Sequence, residues 1–407
     1  MDAIAITGVG VVSPIGSTFE TFGDACANGT IGIGPAPYHG EPGAEHAWAA
    51  QVDDFDPDQW MDARVRDGSA RFTQLALAAS QQAVDSAGEI NPDRTGCVHG
   101  TSMAGIDILA ASQHGLSVEG PQAVSRKLNI AAWPNMAGGQ IAMRFGLHGP
   151  LSTVSTACAS SADAIGMACW MLERGRADAM LAGGSDAALQ LVTFYAQANL
   201  GMLQAVEDPH RALMPFDVNR TGIVEGEGSA MVMLERAEHA HQRGAHVYGY
   251  IKGYASAAEA HHPSSPHPDG TYEKQVMRDA LADAGLEPDD VDVVMAHGTG
   301  TPVGDTAEIG AINEVFARSG RPVTATSVKG HVGHSGGAAN STALLAGLWG
   351  MANGLVVPTA GTTDLDPAVE FEVPLAGVPV ERPVDTMLVN GFGFGGQDSC
   401  LVATRQA

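Results

Sequence analysis

The chain has 407 residues, 44% of them hydrophobic and 16% charged, with a formal net charge of −25. So acidic a chain is a poor partner for nucleic acid or anionic membranes, and no stretch reaches the eighteen apolar residues of a membrane-spanning helix. Its five cysteines, Cys26, Cys97, Cys158, Cys169 and Cys400, are odd in number and scattered; they suggest no disulfide framework, and a cytoplasmic location is expected.

The N-terminus reads as beginning in a strand, within the opening Ile4 to Pro14, with no basic region or apolar signal segment. Alternating strand and helix patterns follow, which predicts α/β layers. No Pro/Ser-rich linker or charge block interrupts them, so one body of two fused halves is expected. The break is placed near Ala245, ahead of strand-like His246 to Ile251, giving halves over 1–245 and 246–407. Basic residues that could face an acidic partner are few: Arg64, Arg66, Arg71 and the adjacent Arg126-Lys127.

Cys158 lies in Val154-Ser155-Thr156-Ala157-Cys158-Ala159-Ser160-Ser161, small residues that open an apolar helix in which Ile165, Ala168, Cys169 and Leu172 recur at helical spacing and Gly175 supplies a stop. A helix start favours the thiolate and small neighbours leave room for a substrate. On this segment alone an inert buried cysteine fits as well. Further on, Val291 to Ala296 reads as a buried strand leading into His297-Gly298-Thr299-Gly300-Thr301. A second strand-like run, Pro322 to Val328, delivers Lys329-Gly330-His331-Val332-Gly333-His334. A cysteine and two histidines at strand-to-helix turns point to a common site, because catalytic groups in α/β sheets gather at the carboxyl ends of strands.

Other patterns have plainer readings. Asp305 and Glu308 fit a helix capping box better than a catalytic carboxylate pair. His261, His262 and His267 cluster, and His331 and His334 stand three apart, but no acidic or cysteine pattern completes a metal site, so no metal is expected. The glycines at 391, 393, 395 and 396 do not have the strand-then-helix setting of a dinucleotide loop.

Thr156-Ala157-Cys158-Ala159-Ser160-Ser161, His297 to Thr301, Lys329 to His334 and Asn390-Gly391-Phe392-Gly393-Phe394-Gly395-Gly396, in this order, resemble the motifs of the elongating β-ketoacyl-acyl-carrier-protein synthases, free-standing members of the thiolase superfamily. The similarity runs from Ile4 to the last strand. It implies a thiolase fold, two α/β halves in a five-layer α-β-α-β-α sandwich, the cysteine in the first and the histidines in the second. It also implies a decarboxylative Claisen condensation: Cys158 carries the acyl group, His297 and His334 stabilise the enolate of the malonyl thioester, and the N–H groups of Cys158 and Phe394 form an oxyanion hole. Lys329 organises the site electrostatically, and Phe394 gates it. Thr299 and Thr301 bind the pantetheine arm; Met103, Trp133 and Leu200 occupy positions that line the acyl tunnel or close it from the dimer interface. Arg126 and Lys127 match a basic pair that docks the carrier.

No permanently bound cofactor is implied, since the phosphopantetheine arrives on the acyl carrier protein. The partners implied are that carrier, acyl and malonyl thioesters, and either a second copy or a chain-length factor. One departure stands out: Ala343 replaces a glutamate common in the family. Alternatives are the catalytic subunit of a ketosynthase/chain-length-factor heterodimer or a thiolase-fold protein limited to acyl transfer. A true thiolase would need a second cysteine ahead of the glycine loop, where Cys400 trails it. An initiating synthase would carry asparagine in place of His334, and a papain-like hydrolase leaves the second histidine and Lys329 unexplained.

Overall fold

The computed structural model describes residues 3–203, 206–317, 322–375 and 380–407. Its first strand, β1 (Ile4–Val12), is buried along its whole length, and the helix α1 (Arg71–Ala87) lies on it. Gly8 and Gly10 permit that contact: a Cβ at either position would stand 2.0 Å from a carbonyl oxygen of α1. The pattern then runs β2 (Thr95–Gly100), α2 (Met136–Phe145), β3 (Leu151–Val154), α3 (Ser160–Glu173), β4 (Ala179–Asp186), α4 (Leu191–Asn199) and β5 (Gly228–Arg236). After β6 (Gly249–Ala258) come α5 (Thr271–Ala284), β7 (Val293–Met295), α6 (Pro302–Phe316), β8 (Thr324–Thr326), α7 (Ala339–Asn353), β9 (Thr386–Gly393) and β10 (Gln397–Thr404).

Hydrogen bonding joins these strands in the order β8-β7-β9-β10-β6-β1-β5-β4-β2-β3. The order contains the same unit twice. In the first, β1-β5 and β5-β4 are antiparallel and β4-β2 and β2-β3 parallel. In the second, β6-β10 and β10-β9 are antiparallel and β9-β7 and β7-β8 parallel. The two meet where Ile4–Ile6 of β1 pair with Gly249–Ile251 of β6.

Helices α3 and α7 touch each other and strands of both units, while α1 and α2 cover the outer face of the first and α5 that of the second, with α6 against α5. This is the five-layer order implied by the resemblance. A helix packed on all sides must be apolar all round, and one core cluster holds Ile165 and Leu172 of α3 with Leu344 and Leu348 of α7. Polar ties cross the same layer. Asp163 of α3 accepts from Thr156 Oγ1 (2.5 Å), Tyr254 Oη (2.7 Å) and Ser399 Oγ, and Ser341 N of α7 donates to Ser161 Oγ (3.0 Å). Ala343 is buried in this apolar layer. Among the described residues no helix is long and apolar enough to cross a membrane.

Candidate active site

Beyond β3 the chain makes a 3₁₀ turn, Ala157–Ala159, before entering α3. Ala157 holds a positive φ of 50°, a conformation that costs a non-glycine residue about 1–3 kcal/mol. Ser160 secures it, its Oγ accepting from Thr156 N (2.9 Å) and donating to Ala157 O (2.6 Å). Cys158 therefore stands at the tip of the turn, just ahead of the helix. The β9-β10 hairpin closes over it: a Cβ at Gly393 would lie 2.6 Å from Thr156 O, and the Phe394 N–H is near enough to the Cys158 sulfur to favour its anionic form. Helix position led to the expectation of an acidified thiol. Burial instead pushes the Cys158 thiol up to about 11, against a downward pull from Lys329, so the resting group is S–H at neutral pH.

His297 follows β7 on a loop pinned from behind. Glu308 accepts from the backbone N–H of His297 (2.8 Å) and Gly298 (2.6 Å) and from Asn390 Nδ2 (3.0 Å). Asp305 accepts from Phe216 N (2.8 Å) and Gly300 N (3.0 Å). This corrects the capping-box reading. The N-cap of α6 is Thr301, whose hydroxyl accepts from Gly304 N at 3.2 Å, which frees the two carboxylates to anchor the loop. The sequence signal was present: two acids one turn apart behind a glycine-rich loop match the backbone donors such a loop leaves unpaired.

Lys329 lies behind His297. Its Nζ donates to the His297 carbonyl and sits 3.5 Å from His297 Nδ1, and burial lowers the ammonium to about 8. On the loop after β8, His334 is held by main-chain bonds, His334 N to Val224 O (2.7 Å) and Gly226 N to His334 O (3.0 Å). Gly336 N donates to His334 Nδ1 at 3.1 Å. In both histidines Nδ1 faces a donor, so the ring proton belongs on Nε2. Burial and the Lys329 charge keep His297 well below the usual imidazole range and take His334 down to about 3. Both rings are neutral donors.

Ligand atoms of Cys158, His297 and His334 all lie within 4.8 Å of one another, and no other metal-competent group of histidines, cysteines and acids occurs among the described residues. The histidines at 261, 262 and 267 make no such group. His331 is structural, its ring nitrogens facing Thr30 O (2.7 Å) and Pro358 O (2.8 Å) and so tying down two loops.

The trio opens into a cavity of about 780 Å³ whose lining includes Met103, Leu200, Thr299, Thr301 and Phe394. Thr299 and Thr301 bridge their hydroxyls at 2.9 Å. Trp133 and Lys329 are not on the lining of this single chain; Trp133 is half exposed on the surface. Of the basic candidates, Arg71 is spent on Glu227 (2.7 Å) and Arg66 on Asp58 and Asp67. Arg64, Arg126 and Lys127 are exposed and without an ion pair among the described residues. Sequence patterns gave no hint of a set of acids on the lining: Asp186, Glu225, Glu259, Glu273 and Asp398. Burial first and neighbouring carboxylates second raise Glu273 well above the usual range and Asp398 to about 8.

Two family models match the chain, the N-terminal domain of β-ketoacyl synthases over residues 1–240 and the C-terminal domain over 248–363. A 3-oxoacyl-[acyl-carrier-protein] synthase 2 of Synechocystis sp. is 34% identical over 403 residues, spanning 98% of this chain and 97% of that protein. One from Coxiella burnetii is 32% identical, with 99% and 98% covered. Among solved structures, the ishigamide ketosynthase/chain length factor superposes with a TM-score of 0.92 at 29% identity, covering 100% of both chains. A type II polyketide synthase acyl-carrier protein in complex with its ketosynthase bound to the hexaketide gives 0.90 at 29% identity over 99% of each chain.

Proposed function

This chain belongs to the β-ketoacyl synthase family, and from that premise we propose that Cys158, His297 and His334 are its reacting groups. The protein is a carbon–carbon bond-forming acyltransferase, a ketosynthase of fatty-acid or polyketide elongation. The observation that carries the residue assignment is the meeting of one sulfur and two imidazoles, from three separate loops, at one cavity.

In the first half-reaction the Cys158 sulfur attacks the thioester of an acyl chain held on a carrier's phosphopantetheine. The carbonyl oxygen collects charge beside the N–H groups of Cys158 and Phe394. The thioester then breaks, acyl stays on Cys158, and the proton lost by its thiol ends on the departing pantetheine sulfur. Because the resting thiol is protonated, transfer of this proton accompanies the attack. Malonyl-carrier enters next. Its C–COO⁻ bond breaks, carbon dioxide leaves, and the electron pair forms an enolate whose oxygen accepts from the Nε2–H of His297 and His334. Enolate carbon attacks the acyl-cysteine carbonyl, the Cys158 thiolate is expelled, and solvent returns its proton. Neutral imidazoles suit this role because they donate without adding a charge to be neutralised.

Thr299 and Thr301 hold the pantetheine arm in this reading, Met103 and Leu200 line the acyl path, Phe394 moves aside to admit malonyl-carrier, and Lys329 fixes the His297 loop. The exposed pair Arg126 and Lys127 is the carrier dock. Trp133 belongs to the surface that meets a second chain. Leu151 of β3, at the free edge of the sheet, is exposed, as are Met143, Ile130 and Trp133, and uncovered apolar surface of this kind marks a partner's place. The partner is a second copy or a chain-length factor. The functional halves are 1–245 and 246–407, and a reducing cytoplasm suits a thiol nucleophile.

Intact-mass measurement after incubation with acyl-carrier protein tests the assignment. The native chain should gain one acyl mass and Cys158→Ala none. Equal uptake by both would show that another residue is the nucleophile.

A further inference from the structure

We propose that Glu225 makes the cavity selective for acyl chains bearing a hydroxyl or carbonyl oxygen over saturated chains of the same length. This rests on the ketosynthase reading of the same site and narrows its substrate class.

Glu225 occupies a two-residue strand, Glu225–Gly226, paired with Ala49 on one side and bridged to His334 on the other. Its backbone is therefore fixed next to a reacting imidazole, the residue lines the cavity, and its carboxyl is near enough to act on the Cys158 thiol. Among the described residues its carboxyl has no hydrogen bond or ion pair. Asp186, its acidic neighbour on the lining, is the opposite case: its two oxygens accept from Thr101 Oγ1 (2.9 Å), Ser102 N (2.8 Å), Ser102 Oγ (2.7 Å), Met103 N (3.0 Å) and Gly337 N (2.5 Å). Asp186 has no capacity to spare, and Glu225 has all of its own.

A second unpartnered group stands on the same wall. Gln197 lines the cavity and its Oε1 is buried without a partner. Main-chain bonds link the two positions: Met202 N donates to Gln197 O (3.1 Å) and Ile223 N to Met202 O (2.8 Å). Glu225 thus lines the cavity from one continuous wall that also carries Gln197 and Leu200. Burial, then the Asp186 charge, pushes the Glu225 carboxyl up to about 8, so at neutral pH it offers an O–H donor together with a carbonyl acceptor. That pairing complements a hydroxyl or a carbonyl on the acyl chain. A saturated chain packed on this wall would strip water from the Glu225 carboxyl and return no hydrogen bond, which is the arrangement by which a polar pocket rejects an apolar analogue.

The test is the rate of acyl-enzyme formation, read by intact mass, with carrier-bound octanoyl, 3-hydroxyoctanoyl, 5-hydroxyoctanoyl and 8-aminooctanoyl chains. The wild-type protein should load the better hydroxyacyl chain about ten-fold faster than octanoyl. Glu225→Gln, which keeps a donor and an acceptor, should retain most of the preference; Glu225→Leu should abolish it by loading octanoyl faster. Equal rates for octanoyl and both hydroxyacyl chains in the wild type, an unchanged ratio in Glu225→Leu, or fastest loading of the amino chain would each overturn the inference while leaving the ketosynthase reading intact. No adduct with any chain would overturn both.

Discussion

At the scale of single residues, the proposed mechanism separates acyl loading from enolate stabilisation and gives them to different side chains. His297 and His334 line the cavity and in that mechanism donate Nε2–H to the enolate, so removing either should spare acyl loading and damage condensation. We expect His334→Ala to load acyl groups at a near-normal rate and to lose about 100- to 1,000-fold in condensation, the cost of one oxyanion donor, measurable by comparing adduct formation with β-ketoacyl product. The Cys158 thiol makes its own prediction. With the group pushed up to about 11, the thiolate fraction grows about ten-fold per pH unit below that value, so alkylation of the free enzyme at Cys158 should climb steadily from pH 7 to 9. A plateau near neutrality would mean that helix position overrides burial. Asp398 bears on stability. A carboxyl raised from the ordinary aspartate range to about 8 binds more protons folded than unfolded across that window, so its contribution to stability is lost as pH rises through it. Asp398→Asn should raise the melting temperature by a few degrees at pH 8 and by less at pH 5.

At the scale of elements, the central helices leave little slack. A Cβ at Gly166 of α3 would stand 2.3 Å from the Tyr254 ring of β6, so Gly166→Ala should cost about 1–3 kcal/mol in denaturant unfolding. The α3 helix was legible because Ile165, Ala168, Cys169 and Leu172 share one face and Gly175 ends it in a left-handed conformation, φ 64°. The strands that lead to the histidines were legible too, as strand-like runs ahead of glycine-rich loops, although only Val293–Met295 and Thr324–Thr326 are paired as strand. What stayed hidden follows from distance in the chain. Asp305 and Glu308 hold loop donors 5 to 11 residues away, a signal the helix-cap reading passed over, but their further bonds to Phe216 and Asn390 span 89 and 82 residues and no local pattern announces them. Glu225 was invisible for the same reason: nothing in Val224-Glu225-Gly226 announces that His334 will lie beside it. The acidity of Cys158 was misjudged because helix position is written locally, whereas the burial that outweighs it is not.

At the scale of the whole molecule, the net charge of −25 gives exposed cations unusual weight in the proposed docking of a carrier. Arg126→Glu combined with Lys127→Glu should raise KM for the carrier several-fold with little change in kcat, and added salt should shrink the difference. An unaltered KM would remove that pair from the dock. The sheet carries a deeper consequence. Its two five-strand units repeat strand for strand, so that Cys158, after β3, and His334, after β8, occupy equivalent junctions of a doubled plan. Each unit contributes what the other lacks. A chain nicked between Arg243 and Tyr248 would leave the sulfur on one fragment and both imidazoles on the other, so on the proposed assignment of the reacting groups turnover should survive only while the fragments stay clasped, as two subunits of one split polypeptide would.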